Sequence, residues 1–97
     1  MGLYALIGRD GPRGAELRKL HREAHLQNLQ PLAVADRIAY AGPLLDAADQ
    51  PVGSVIVFEA DSLAAARGFA QRDPYVVHGV FEHWEVWGTR QVFPNLV

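Results

Sequence analysis

The chain has 97 residues, four histidines, no cysteine and a formal net charge of −2, with 49% of its residues apolar and 21% charged. That length suits one domain, residues 1–97, with a modest core. The charge balance argues against nucleic acid as a partner, and the missing cysteines exclude disulfides, thiolate zinc sites and thiol nucleophiles.

The N-terminus has no basic start or cleavage site, and no run approaches the roughly 20 apolar residues of a membrane span, so cytoplasmic residence is expected. Residues 3–7 (LYALI) read as a buried strand closed by the turn signal Gly8-Arg9-Asp10-Gly11-Pro12. Residues 13–30 hold a single Gly, at 14, and no Pro, and are rich in helix formers, which predicts a first helix with Leu17, Leu20, Ala24, Leu26 and Leu29 as its apolar stripe. Pro31 should kink or end it. Residues 37–44 read as a second strand, 46–53 as a polar hairpin loop, and 54–59 (SVIVFE) as the clearest strand. Asp61-Ser62 offers an N-cap for a second helix over 63–71, which Asp73-Pro74 stops. Residues 80–87 form the fourth strand, followed by an apolar tail, 91–97.

The order β-α-β-β-α-β is that of a ferredoxin-like α+β fold, with both helices on one face of a four-stranded antiparallel sheet. A sheet with one wet face should alternate apolar and polar residues. Here Leu3, Ala5 and Ile7 oppose Tyr4 and Leu6; Val55 and Val57 oppose Ile56 and Phe58; Val80, Trp84 and Val86 oppose Phe81 and Trp87. The second face therefore needs a cover. A second copy packed sheet to sheet is the expected one, making the protein a homodimer; the tail and loops are the alternative.

His21, His25, His78 and His83 are the chemically distinctive residues. Arg18, His21, Arg22 and His25 share one helix face by spacing, which reads either as a solvated surface or as part of a site. His21 and His25 stand at i, i+4, but His-Arg-Glu-Ala-His differs from the His-Glu-x-x-His zinc motif and nothing fixes a third ligand, so neither metal nor cofactor is expected. His25 and Asp73 can meet if the two helices lie side by side. A carboxylate on one imidazole nitrogen fixes the tautomer and frees the other nitrogen to move a proton. Asp73 serves equally as a plain helix stop.

Arg22-x-x-His25-Leu26, Ala41-Gly42-Pro43-Leu44, Gly53-Ser54, Ser62-Leu63-x-x-Ala66, Asp73-Pro74-Tyr75 and Gly79-Val80-Phe81-Glu82 together give the chain, over nearly its whole length, the look of another group. It resembles the YCII-related proteins of the dimeric α+β barrel superfamily. The resemblance implies a subunit whose sheet closes a barrel-like dimer and an active site built on a His–Asp pair, here His25 and Asp73. The superfamily includes isomerases, lyases and cofactor-free monooxygenases acting on small, often aromatic, molecules. Two features depart from the pattern: Pro31 interrupts the first helix, and the loop 46–52, which borders a pocket, is short.

The expected function is proton transfer, of isomerase or lyase type, on a small aromatic or carboxylated metabolite. His25 is general base or acid, and Asp73 orients it. Arg22 holds a carboxylate or phenolate through its forked guanidinium. Ser54 and Tyr75 supply hydrogen bonds, and Gly42 lets the backbone approach the ligand. Tyr4, Phe58 and Trp84 are either pocket walls or core. A non-catalytic ligand-binding module and a structural dimer, in which His25 and Asp73 form a buried polar pair, are the other readings the residues allow.

Overall fold

The computed structural model describes residues 1–94; the end of the tail, 95–97, lies outside the described residues, and with it part of the alternative cover for the open sheet face. Among the described residues the order is β1 (Gly2–Asp10), α1 (Gly14–Val34), β2 (Ile38–Leu45), β3 (Pro51–Ala60), α2 (Leu63–Arg72), α3 (Pro74–Val77) and β4 (Phe81–Thr89). The strands form one antiparallel sheet in the order β2-β3-β1-β4, which is the ferredoxin-like arrangement.

Register assigns the two faces. Leu6 pairs with Ile56 and Val86, and Tyr4 with Phe58, so these residues point toward the helices. There Leu6, Ile56, Phe58, Val86, Leu29, Ala66 and Ala70 form the main core, with Tyr75, Val80 and Phe81 as a second cluster and Trp84 packed against both. Phe81 was expected on the opposite face from Val86. The register shifts between Arg9 and Asp10, pairing Asp10 with Phe81, and this bulge turns Phe81 inward. Its ring occupies the space a side chain at position 8 would need: a Cβ on Gly8 would lie 2.5 Å from it.

Strands run further than the sequence signals suggest. Gly8, Arg9 and Asp10 continue β1 instead of forming a turn, and β3 begins at Pro51, which shrinks the hairpin loop to a tight turn. In that turn the Asp46 side chain accepts from the backbone N–H groups of Ala48 (2.8 Å) and Gln50 (3.0 Å). Helix α1 does not stop at Pro31. The proline removes one hydrogen bond but stands near the C-terminal end, where Leu32 packs on the core and Ala35 N–H bonds Pro31 C=O at 3.1 Å.

Of the expected apolar stripe of α1, Leu17 and Leu29 face inward and the other three residues do not. Leu20 is 68% and Leu26 43% exposed, and Ala24 is exposed. The inward line runs through Gly14, Leu17, Arg18, His21, His25, Asn28, Leu29 and Leu32. Polar groups are tolerated there because carboxylates from elsewhere in the chain receive them.

Ser62 caps α2 as expected, its hydroxyl accepting from Ala65 N–H at 3.0 Å. Ser62→Ala should cost about 1 kcal/mol, read as a lower urea midpoint at unchanged slope. Asp73 ends α2 but immediately caps the short helix α3, with Pro74 at its first position, an element the sequence reading lacked.

Candidate active site

His25 sits mid-way along α1 and is buried, as are Asp73, Ser54 and Tyr75. The α2–α3 corner carries Asp73 beneath the imidazole. His25 Nδ1 lies 2.8 Å from Asp73 Oδ1 and 2.9 Å from Oδ2, so an Nδ1–H donates between the two carboxylate oxygens. Asp73 also accepts from Tyr75 N–H at 2.8 Å and from Asn28 Nδ2 at 3.1 Å. Three donors thus converge on a carboxylate with no exposed surface, which offsets its desolvation. The Tyr75 ring stacks on the imidazole with centroids 3.9 Å apart and planes at 5°, which fixes the plane of His25. His25 Nε2, the nitrogen turned from Asp73, makes no hydrogen bond among the described residues.

A cavity of about 420 Å³ opens beside this ring. Arg22, His25, Gly42, Ser54 and Tyr75 all line it, while Asp73 stands behind His25. The candidate residues quoted from the sequence are therefore brought to one place. Gly42 belongs to a stretch of β2, Ala41–Pro43, that forms one wall. Tyr4, Phe58 and Trp84 do not line the cavity: their places in the register turn them into the core. A wider depression of about 950 Å³ lies at the other end of the strands, with Arg37, Glu59 and Arg90 among its lining residues, and holds no imidazole.

Two participants were not named as site residues from sequence. Arg18 donates from Nε to Asp10 Oδ2 at 2.6 Å, and from Nη2 to Asp10 Oδ1 at 3.0 Å, Gly53 C=O at 2.7 Å and Ser54 Oγ at 3.0 Å. Its guanidinium carbon lies 5.1 Å from the Tyr75 ring centroid. The Ser54 Oγ is thereby an acceptor for Arg18, which leaves the hydroxyl its own hydrogen to donate. Arg18 had a signal, its place on the helix face of His25; Asp10, read as a turn residue, had none.

Burial pushes the Tyr75 phenol above its ordinary pKa, against the pull of Arg18 and Arg22. Tyr75 is thus a neutral donor at neutral pH, and its hydroxyl makes no hydrogen bond among the described residues. His21 stacks on His78 at 4.0 Å with planes at 2°, a geometry that aims their lone pairs along parallel planes instead of at one ion. Among the described residues no three His, Asp or Glu side chains converge as a metal site, and no helix is long and apolar enough to cross a membrane.

Residues 2–90 match the YCII-related domain. The chain is 38% identical to protein YciI of Escherichia coli O6:H1, over 94% of this chain and 99% of that one. Among solved structures, 5-chloro-2-hydroxyhydroquinone dehydrochlorinase (TftG) from Burkholderia phenoliruptrix, in complex with 2,5-dihydroxybenzoquinone, is similar with a TM-score of 0.81 at 27% identity, covering 96% of this chain and 99% of that one. A candidate antibiotic biosynthesis monooxygenase from Deinococcus radiodurans shares the fold, with a TM-score of 0.56 at 14% identity, covering 100% and 98%.

Proposed function

The chain belongs to the YCII-related family, and from that premise we propose that it is an acid–base enzyme of lyase or isomerase type acting on a small aromatic molecule. One observation carries the reading: a buried imidazole, bonded through Nδ1 to a fully buried carboxylate, forms part of the wall of a ligand-sized cavity. Nε2 takes a proton from the bound molecule. It returns that proton to a different atom in an isomerisation, or passes it to water as an anion leaves in an elimination. Asp73 holds the tautomer that makes Nε2 the acceptor. Arg22 and the Tyr75 hydroxyl hold oxygens of the substrate, and the β2 stretch Ala41–Pro43 walls the site. TftG, a dehydrochlorinase of a hydroxylated ring, supports the choice of substrate class.

The test is to incubate the protein with hydroxylated and halogenated quinols in deuterated water. Halide release, or deuterium entering the ring, is expected with the protein and not with buffer. Binding of these compounds without either change would leave a ligand-binding module instead.

The working unit in this reading is a homodimer packed sheet to sheet. Leu3, Ala5 and Ile7 of β1, Val55 and Val57 of β3, Tyr40 and Leu44 of β2 and Trp87 of β4 share the face turned from the helices. Tyr40 is 57% and Trp87 60% exposed. An apolar face of this kind on a soluble chain marks an interface. Sedimentation should give about twice the chain mass of 10.7 kDa, and Val57→Lys should bring it to one chain mass. A monomer at high micromolar concentration would remove the dimer.

A further inference from the structure

We infer that Arg18 is a ligand-binding residue whose unengaged Nη1 edge seats an ionised oxygen of the substrate, so that the site selects planar oxyanions over neutral rings of the same size. The inference rests on the proposed acid–base reading for the position of the site, and adds to it the charge of the substrate.

Four observations lead there. Arg18 spends Nε and Nη2 on Asp10, Gly53 and Ser54, while Nη1 makes no hydrogen bond among the described residues. Its side chain is 13% exposed, and Arg18 lines the cavity beside His25. Arg18, Lys19 and Arg22 all line that cavity, and among the described residues no carboxylate does, in a chain whose net charge is −2. The remaining walls are mainly apolar, from Leu26, Leu29, Pro43 and Ile56, which suits a flat hydrocarbon body.

Asp10 explains the guanidinium's orientation but not its position on the cavity wall. The two-point Arg18–Asp10 contact, with the buried Ser54 hydroxyl, holds the guanidinium plane before any ligand arrives. Fixing a long side chain in advance removes an entropic cost from binding. A lysine would keep the charge near Asp10 but would have no second edge to offer. Tyr75 joins the two halves of the site, since its ring contacts both the guanidinium and the imidazole.

Calorimetric titration with two probes tests this: 2,5-dihydroxybenzoquinone, whose hydroxyls are ionised at neutral pH, and hydroquinone, which is uncharged. The wild type should bind the anion more tightly, and added sodium chloride should weaken that binding alone. Arg18→Lys should raise the Kd of the anion by about tenfold or more and leave that of hydroquinone within about twofold. Arg18→Gln should do the same more strongly, and if it melts at much lower temperature the lysine variant decides. Equal binding of both probes by the wild type, a parallel loss of both in Arg18→Lys, or unchanged anion binding in it overturns the inference. His25→Asn separates this from the parent reading. Loss of turnover in that variant, with anion binding indifferent to Arg18, would sink the anion site alone; intact anion selection with no reaction on any quinol would sink the acid–base reading alone.

Discussion

His25→Asn is expected to lower turnover by about 10²- to 10⁴-fold while the chain stays folded. The choice of asparagine follows from the geometry. Its side-chain amide nitrogen occupies roughly the place of Nδ1, so a donor to Asp73 survives where the native one lies 2.8 and 2.9 Å from the two oxygens. What disappears is Nε2, the nitrogen left to the cavity. Alanine is a blunter test. It removes a donor from a fully buried carboxylate as well as the base, and should cost about 1–3 kcal/mol of stability besides the activity. Stopped turnover with a near-native melting temperature in the asparagine variant separates catalysis from packing. Wild-type rates in that variant would mean that another group moves the proton.

The order of elements was readable because each was marked by a strong local signal: the β-branched run of β3, the long run of helix formers in α1, the serine cap before α2. The unalternating strands likewise reported that both faces of the sheet are apolar. Boundaries were less readable, since turn residues such as Gly8 and Asp10 are held in β1 by pairing with β3 and β4, a long-range effect. The buried face of α1 was readable at Leu17 and Leu29 and misread at Leu20, Ala24 and Leu26 for a related reason. Leu20 and Leu26 are more apolar than Arg18 and His25, but the polar pair faces inward because Asp10 and Asp73 meet it there. His25 and Asp73 are 48 positions apart and Arg18 and Ser54 are 36 apart, so no spacing rule joins them. The family resemblance selected the first pair; nothing in the sequence reading selected the second.

Asp73 is where fold and proposed chemistry depend on the same atoms, and two substitutions should pull them apart. Its carboxylate caps α3 through Tyr75 N–H, receives Asn28 from α1 and holds His25, all without exposed surface. Asp73→Ala leaves these donors unmatched and removes a helix cap, and should cost about 3–5 kcal/mol. For a domain of this size that is a fall in Tm of more than about 10 °C. Asp73→Asn keeps the shape and one acceptor oxygen. With its oxygen kept on Tyr75 N–H, its amide N–H₂ takes the place of Oδ2, where the Asn28 amide turns over to accept from it and Nδ1 meets it as a second acceptor, which moves the imidazole proton to Nε2. The nitrogen facing the cavity becomes a donor and can no longer act as base. This variant should therefore remain folded, lose about 10²-fold or more in turnover, and show the changed tautomer in the ¹⁵N shifts of His25. If Asp73→Asn turned over substrate as the wild type does, the carboxylate would be a corner post between α2 and α3 with no part in the chemistry.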